Sequence, residues 1–564
     1  MNQTLHIIRK DLRRLRWLLV AWVVIIIGRL ALNVAGSSVE PVDTGLRLVI
    51  GNLSSLVGLV EMLMWGLLIS LLVHDEPLVG ADAFWLTRPI ETNALMTAKL
   101  ALAGLFLILG PSVREVIEMA WFGASPRDVL VAAPSFLFTQ AFWMLMLLAL
   151  AVLTPSLTRF VLTIAAGALS FVVAIGAITT LLVLSRSEER EYVEAPLMPD
   201  STAGIVATLL LMCVVFGVIV YQYRHRWLSR AFLIGGSGAV AAVIVASMWP
   251  WHFARALEPD PGAWAHDSTR TPARLDATSP PKVSELPSLR PAKIPKKQVA
   301  TRIDLVGTPP EYAVGSIGVR ARLTFSDGTT IVSAQQNGAY VLRFAGDQPL
   351  YRPTQLQAVL GDTHLASNAR RDFAYTMPVL LRVTDADYQR YGDQPGHLSA
   401  TVDFALTKFR VFGSLPLSAG AAMRDRTDRF DVVRVLRRSD GCELFVRHIS
   451  VRPIWAGRVP RQFHYVLRNV ERGEAIEGDA QELMPLGELN VAGALFGVTV
   501  DGSGAGGFSV WHELLRYPSG AMSASPTPRI DAAWLDGADL VIIESAYAGH
   551  VTRSLEVDGF KMRP

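Results

Sequence analysis

The chain has 564 residues, 51% of them hydrophobic, and a net charge of +3. That surplus is too small to argue for nucleic acid as a partner. Charged residues make up 18%, below the ~25% usual in soluble proteins. The deficit lies in the first half, because every long apolar run precedes Trp251. Of the two cysteines, Cys213 lies in an apolar run and Cys442 in the polar half. Neither an internal disulfide nor a metal framework is expected from them.

The start pairs a basic cluster (Arg9, Lys10, Arg13, Arg14, Arg16) with the apolar stretch from Trp17. This resembles a secretion signal. The stretch runs past signal length and more apolar runs follow, so it reads as a retained first span. A membrane helix needs ~20 mostly apolar residues. Seven segments qualify: Trp17–Ala35, Leu48–Val73, Leu100–Met119, Val131–Leu153, Phe160–Leu184, Ala203–Tyr221 and Ala231–Trp249. Gly110-Pro111 interrupts the third, and Arg114, Glu115 and Glu118 crowd its far end.

Basic residues fall in alternate connections: the N-terminal segment, Arg88 with Lys99, Arg159, and Arg224, Arg226 and Arg230. The other connections carry Glu40 and Asp43, Glu115 and Glu118, and Glu188, Glu189, Glu191 and Glu194. Lys and Arg favour the cytoplasmic side, so the N-terminus is expected in the cytoplasm. An odd span count then puts the C-terminal half outside, and a miscount by one would reverse that side. Trp249 and Trp251 flank the exit of the last span, as an interfacial belt requires. The expected location is a bacterial-type cytoplasmic (inner) membrane.

The connection after the second span runs His74-Asp75-Glu76-Pro77-Leu78-Val79-Gly80 and on through Phe84-Trp85-Leu86-Thr87-Arg88-Pro89 to Lys99-Leu100. Phe84, Trp85 and Leu86 give it an apolar face, Arg88-Pro89 ends a helical turn, and Lys99 is expected to anchor the next span at the headgroups. This run resembles the first cytoplasmic loop of type-two ABC transporter permeases. There an acid, a Gly, a short helix with a Leu-x-x-Pro-like turn and a Lys follow in that order. The matching positions are Glu76, Gly80, Leu86, Pro89 and Lys99. Ile7-Ile8-Arg9-Lys10-Asp11-Leu12 is similar to that family's amphipathic opening helix with its Lys-acid pair. The likeness covers about residues 1–221. The run from Trp85 to Pro89, a seventh span and a large outer region depart from the family's pattern.

The resemblance implies that the loop docks on a separate ATPase subunit, through Glu76, Gly80, Trp85, Arg88, Pro89 and Lys99. It also implies a dimer, either a homodimer or a paired permease. The other reading of the loop is a helix that only lies at the membrane surface. No Gly-x-x-x-x-Gly-Lys-Ser/Thr occurs, so ATP hydrolysis would come from the partner. No cofactor is expected.

Arg29 falls in the first span and Glu61 in the second. Charges at such depth are costly and usually paired. Antiparallel neighbours would let them meet as a structural ion pair, or Arg29 could snorkel outward. The competing reading is a role in substrate passage or gating.

Residues 252–298 are rich in Pro, Ser and charge and read as an extended tether. Period-two alternation follows in Val319–Phe325, Val379–Val383, Leu398–Phe404, Phe430–Leu436, Leu444–Val451, His464–Leu467, Phe496–Val500 and Leu540–Glu544. Ser326-Asp327-Gly328 marks a hairpin. The expected fold is a polytopic helical membrane domain (residues 1–251), followed by an extracytoplasmic all-β region of two antiparallel β-sandwiches (299–418 and 419–564).

Several motifs there are incomplete. Trp511-His512-Glu513-Leu514-Leu515-Arg516 has Arg where a zinc helix needs its second His. Gly502 to Gly507 matches Gly-x-Gly-x-x-Gly by letter but lacks the helix and distant acid of a nucleotide unit, and reads as a hairpin loop. Asp385, Asp387 and Asp393 miss the spacing of a Ca²⁺ loop and read as a solvated turn. His448 and His464 fall on strands. No Ser/His/Asp set stands out.

Two functions follow. One is a membrane subunit of an ABC-type exporter with its ATPase on another chain and an unknown substrate. The alternative is a non-transporting membrane-anchored sensor or assembly factor acting through its outer β region.

Overall fold

The computed structural model describes residues 3–38, 44–74, 91–166, 201–248, 260–275, 281–285, 297–332, 336–337, 353–366, 379–425, 427–439, 441–451, 461–483, 508–517 and 530–563. A helical region is followed by a mostly β region. The helices are α1 (Gln3–Ser38), α2 (Thr44–His74), α3 (Thr92–Gly104), α4 (Gly110–Trp121) and α5 (Pro126–Leu153). Then come α6 (Leu157–Ala166), α7 (Ser201–His225) and α8 (Leu228–Met248). Among the described residues, five helical stretches are long and apolar enough to cross a membrane. Helix α6 and the stretch Leu228–Ala242 of α8 are shorter apolar helices. The expected fifth span, Phe160–Leu184, is described only to Ala166.

The third span is one stretch, Thr92–Trp121, containing a π-helical turn at Leu105–Leu109 between α3 and α4. Pro111 sits in the first turn of α4. A proline has no N–H to give to the preceding turn, and the wider π turn ahead of it takes up the misfit without ending the helix. Gly110 is needed here, because a Cβ would stand 2.2 Å from the Trp22 ring. The bundle core comes from Leu68, Ile69 and Leu72 on α2, Leu95, Ala98 and Leu102 on α3, Leu148 and Val152 on α5, and Ile219 and Tyr223 on α7.

The strands in chain order are β1 (Ala273–Leu275), β2 (Lys282–Glu285), β3 (Lys297–Ala300), β4 (Ile303–Leu305), β5 (Tyr312–Phe325), β6 (Thr330–Val332), β7 (Gln336–Asn337), β8 (His364–Ala366) and β9 (Val379–Val383). They continue with β10 (Gly396–Pro416), β11 (Ala422–Asp425), β12 (Asp428–Arg438), β13 (Gly441–Val451), β14 (Arg461–Asn469), β15 (Glu474–Glu477), β16 (Asp479–Leu483), β17 (Phe508–Tyr517) and β18 (Ala538–Phe560). The β5–β6 hairpin turns at Gly328, whose φ of 82° suits glycine.

The β region is organised around the long antiparallel ribbon β10–β18, which bulges near Gly396, Leu406 and Val411. Strand β5 extends the sheet along Gly396–Lys408 of β10. Strand β14 extends it along Ala538–Ala546 of β18. One half of the ribbon thus buries Leu398, Val402, Phe404, Val551 and Leu555 with Val319, Leu323, Leu380 and Val383. The other half buries Leu415, Leu540 and Ile542 with Phe430, Val432, Leu444 and Leu515 of a second, five-stranded sheet ordered β11-β12-β13-β17-β16.

Two expectations change here. The boundary placed at 418/419 does not separate two consecutive units, because the last strand, β18, pairs with β10 along both cores. The tether placed at 252–298 is folded wherever it is described. Strand β1 pairs with β4 and β2 with β3, Tyr312 donates to the carbonyl of Pro261 at 3.3 Å, and Arg553 donates to the carbonyl of Thr271 at 2.9 Å. The described prolines of this stretch, Pro261, Pro272 and Pro281, all fall outside its strands.

Candidate functional site

Three polar features stand out, one near each end of the helical bundle and one where the β region meets it. Near the N-terminal end, Lys99 of α3 donates to Asp11 of α1 at 2.8 Å. Both side chains are buried, at 2% and 3% exposure. The ammonium expected at the headgroups therefore lies inside the protein. Close by, the backbone N–H of Glu91 reaches the Gln3 side chain at 3.5 Å. Glu76, Gly80, Trp85, Arg88 and Pro89 lie outside the described residues.

Toward the other end, Arg29 meets Glu61 at 2.6 Å. Arg114 of α4 donates to both Glu61 oxygens, at 2.9 and 2.7 Å, and its other terminal nitrogen reaches Glu115 at 2.8 Å. Asn33 donates to Glu118 at 3.2 Å and accepts from Ser54 at 2.8 Å. Gly58 leaves room for the Arg29 guanidinium, which a Cβ would approach to 3.4 Å. Arg114, Glu115 and Glu118 were expected at the crowded far end of the third span, with Glu115 and Glu118 also counted toward the connection. All three belong to the helix, one face of which carries this network from α1 and α2 into the third span. Gln140 is buried on α5.

Helix α4 then turns at Phe122 and Gly123 into α5, whose N-terminus is closed by a reciprocal pair: Ser125 accepts from the Asp128 N–H, and Asp128 accepts from the Ser125 N–H. The β region docks on this hairpin. Arg424 of β11 pairs with Asp128, and Arg429 of β12 donates to the carbonyl of Gly123 at 3.2 Å. Gly123 has φ 76° and leaves space that a Cβ would take from Arg429, at 2.6 Å. Phe122 packs on Phe508 with centroids 6.2 Å apart, and Val451 joins Met119, Ala132 and Phe136 in one apolar cluster. Asp431 holds Arg429 at 2.7 Å and Arg447 at 2.6 Å.

Behind the contact, Asp428 bonds His448 at 3.0 Å and Arg461 at 3.0 Å. Burial alone would raise the Asp428 carboxyl. The His448 bond and charge, the Thr427 hydroxyl and the Arg461 guanidinium outweigh that and hold it well below the usual carboxylate range. The His448 ring is stacked between Phe430, at 4.3 Å, and Trp511, at 4.9 Å. Both ring faces are covered, so this His–Asp pair is packed like core and does not present itself to a substrate. His464 bonds Ser545 at 2.9 Å, and both are buried.

Among the described residues, no three His, Cys, Asp or Glu side chains gather as a metal site. His512 and Glu513 lie on strand β17, so the zinc-helix letters do not form a helix. Asp385 and Asp387, expected in a solvated turn, open the short helix Asp385–Tyr391, capped by Thr384. Gly502 to Gly507 lie outside the described residues.

Asp11 and Arg114 escaped sequence reasoning as partners. Their signals were present, an acid inside a basic cluster and a cation at the end of an apolar run, but pairing across 88 and 53 residues needs the fold. Arg424 and Arg429 gave no signal in a region rich in arginine.

No protein-family model, no curated protein and no solved structure matches this chain. The class it defines is a helical region with several apolar helices that could span a membrane, joined to a mostly β region seated on its α4–α5 hairpin.

Proposed function

We propose that this protein is the membrane subunit of an ABC-type transporter, coupling ATP hydrolysis on a separate subunit to export of a substrate. The observation that carries the reading is the Asp11–Lys99 pair. Asp11 and Lys99 are two positions at which the sequence resembles type-two ABC permeases, and they meet although 88 residues apart. They fasten the opening helix to the start of the third span, which follows the expected docking loop, residues 75–90, in the sequence. A partner pressing on that loop would push on the third span directly. That span has a π turn at mid-length, a feature frequent at functional sites, and its far end carries Arg114, Glu118 and the hairpin that bears the β region. The span is therefore suited to passing a movement from one face to the other.

In this reading the basic connections face the cytoplasm of a bacterial-type inner membrane and the β region lies outside. Seven spans complete the bundle, and two permease units form the working dimer. The contact through Phe122, Gly123 and Asp128 favours a second reading, an outer-face sensor or assembly factor, because it would serve equally to carry a signal inward.

Purification from the native membrane in mild detergent, with identification of what comes along, separates the two. A stoichiometric ATPase whose turnover responds to this chain is expected. Substituting Glu76, Gly80 or Pro89 should release that subunit with folding intact. Absence of any ATPase, with an outer-face partner in its place, refutes the transporter reading.

A further inference from the structure

A short hairpin joins α7 to α8. Helix α7 ends at His225 and α8 begins at Leu228. Arg226 between them has φ 59°, the only positive value outside glycine among the described residues. That left-handed residue reverses the chain in two residues, so the two helix ends share one level. Arg224, His225, Trp227 and Arg230 are all exposed there. The Arg230 guanidinium lies 3.9 Å from the Trp227 ring centroid, and the Tyr221 and His225 rings are 4.8 Å apart. Among the described residues neither Arg224 nor Arg230 has a carboxylate partner, in contrast to Arg29 and Arg114, which both meet Glu61. Just beyond, Phe232 and Leu233 are 57% and 71% exposed.

We infer that this hairpin binds the phosphate headgroup of an anionic phospholipid. A guanidinium offers a planar fork that matches two phosphate oxygens. The Trp227 ring holds the Arg230 fork by its face and itself suits headgroup depth. Phe232 and Leu233 continue the surface with side chains suited to acyl chains. Two cations with no carboxylate partner among the described residues select a lipid of net negative charge over a zwitterionic one. The inference rests on these helices meeting a bilayer and is independent of any ATPase.

The test is native mass spectrometry of the full chain in detergent, titrated with phosphatidylglycerol or phosphatidylcholine. Arg224→Gln and Arg230→Gln should each weaken phosphatidylglycerol binding about five-fold, and together about thirty-fold. Phosphatidylcholine binding should not change. Arg159→Gln removes the same charge from an exposed site elsewhere and should leave the lipid affinity as it was. Should the double variant fail to fold, Trp227→Ala tests the site alone, with an expected loss of about two- to five-fold. Unchanged binding in the variants would overturn the proposal. So would an equal loss in Arg159→Gln, which would mean bulk charge alone, or displacement of the lipid by inorganic phosphate at matched concentration, which would mean a site for a soluble anion.

Discussion

Removing one partner of the Asp11–Lys99 pair should destabilise the helical region far more than removing both. At 2.8 Å, with an effective dielectric of ~20, the attraction is about 6 kcal/mol. Taking each ion out of water costs several kcal/mol, so the intact pair contributes little net stability against an apolar pair of similar size. Asp11→Asn or Lys99→Met breaks that balance and leaves one buried charge without its nearest counter-charge. Each single variant should lose about 3–5 kcal/mol, whereas Asp11→Leu with Lys99→Met should stay within about 2 kcal/mol of the wild type. The assay is reversible unfolding of the full chain in mixed micelles, followed by a probe on α1 or α3. The double-mutant cycle should give a coupling above 2 kcal/mol. Single losses below 1 kcal/mol, adding up in the double variant, would show that the two charges are solvated and refute the argument. The transporter reading makes a separate demand: the double variant should fold and yet respond differently to an ATPase subunit, since the opening helix would no longer be held by charge.

Three further outcomes follow from other parts of the molecule. Arg424→Gln should cost about 1 kcal/mol, because the Arg424 side chain is 41% exposed and its pair is partly screened. Asp128→Ala should cost about 1 kcal/mol more, since it also removes the carboxylate half of the reciprocal cap of α5; hydrogen exchange over residues 122–128 would rise in both variants, and no rise would mean that the β region is held elsewhere. Asp428 contributes stability that is present above about pH 4 and lost as the pH falls through its lowered folded value. Asp428→Asn should therefore flatten the acid limb of β-region unfolding below pH 4, and an unchanged limb would remove Asp428 from the account. Burial pushes the Cys442 thiol up to about 12, so alkylation at pH 8 should leave it untouched until the β region unfolds; rapid labelling in the folded chain would contradict its placement in the core.

The sequence carries the division of this protein into helical and β parts almost completely. Apolar length is a local property, and each expected span that is described falls on a helix. Alternation is local too: Val319–Phe325, Leu398–Phe404, Leu444–Val451 and Leu540–Glu544 all lie within strands β5, β10, β13 and β18. Depth on neighbouring antiparallel spans made a meeting of Arg29 with Glu61 one of the readings, beside snorkelling and gating, and the two side chains do touch. What the sequence withheld was partnership over distance. Arg114 joining Glu61, and Lys99 turning inward to Asp11, depend on which helix faces which. Strand periodicity says that β18 is a strand but not that it runs beside β10 and serves both cores. Nor does it say that β11–β13 would set Arg424 and Arg429 on the α4–α5 hairpin. Residue spacing fixes what each segment can become. Only tertiary packing, where buried charges and unpaired edges must be satisfied together, fixes what each segment meets.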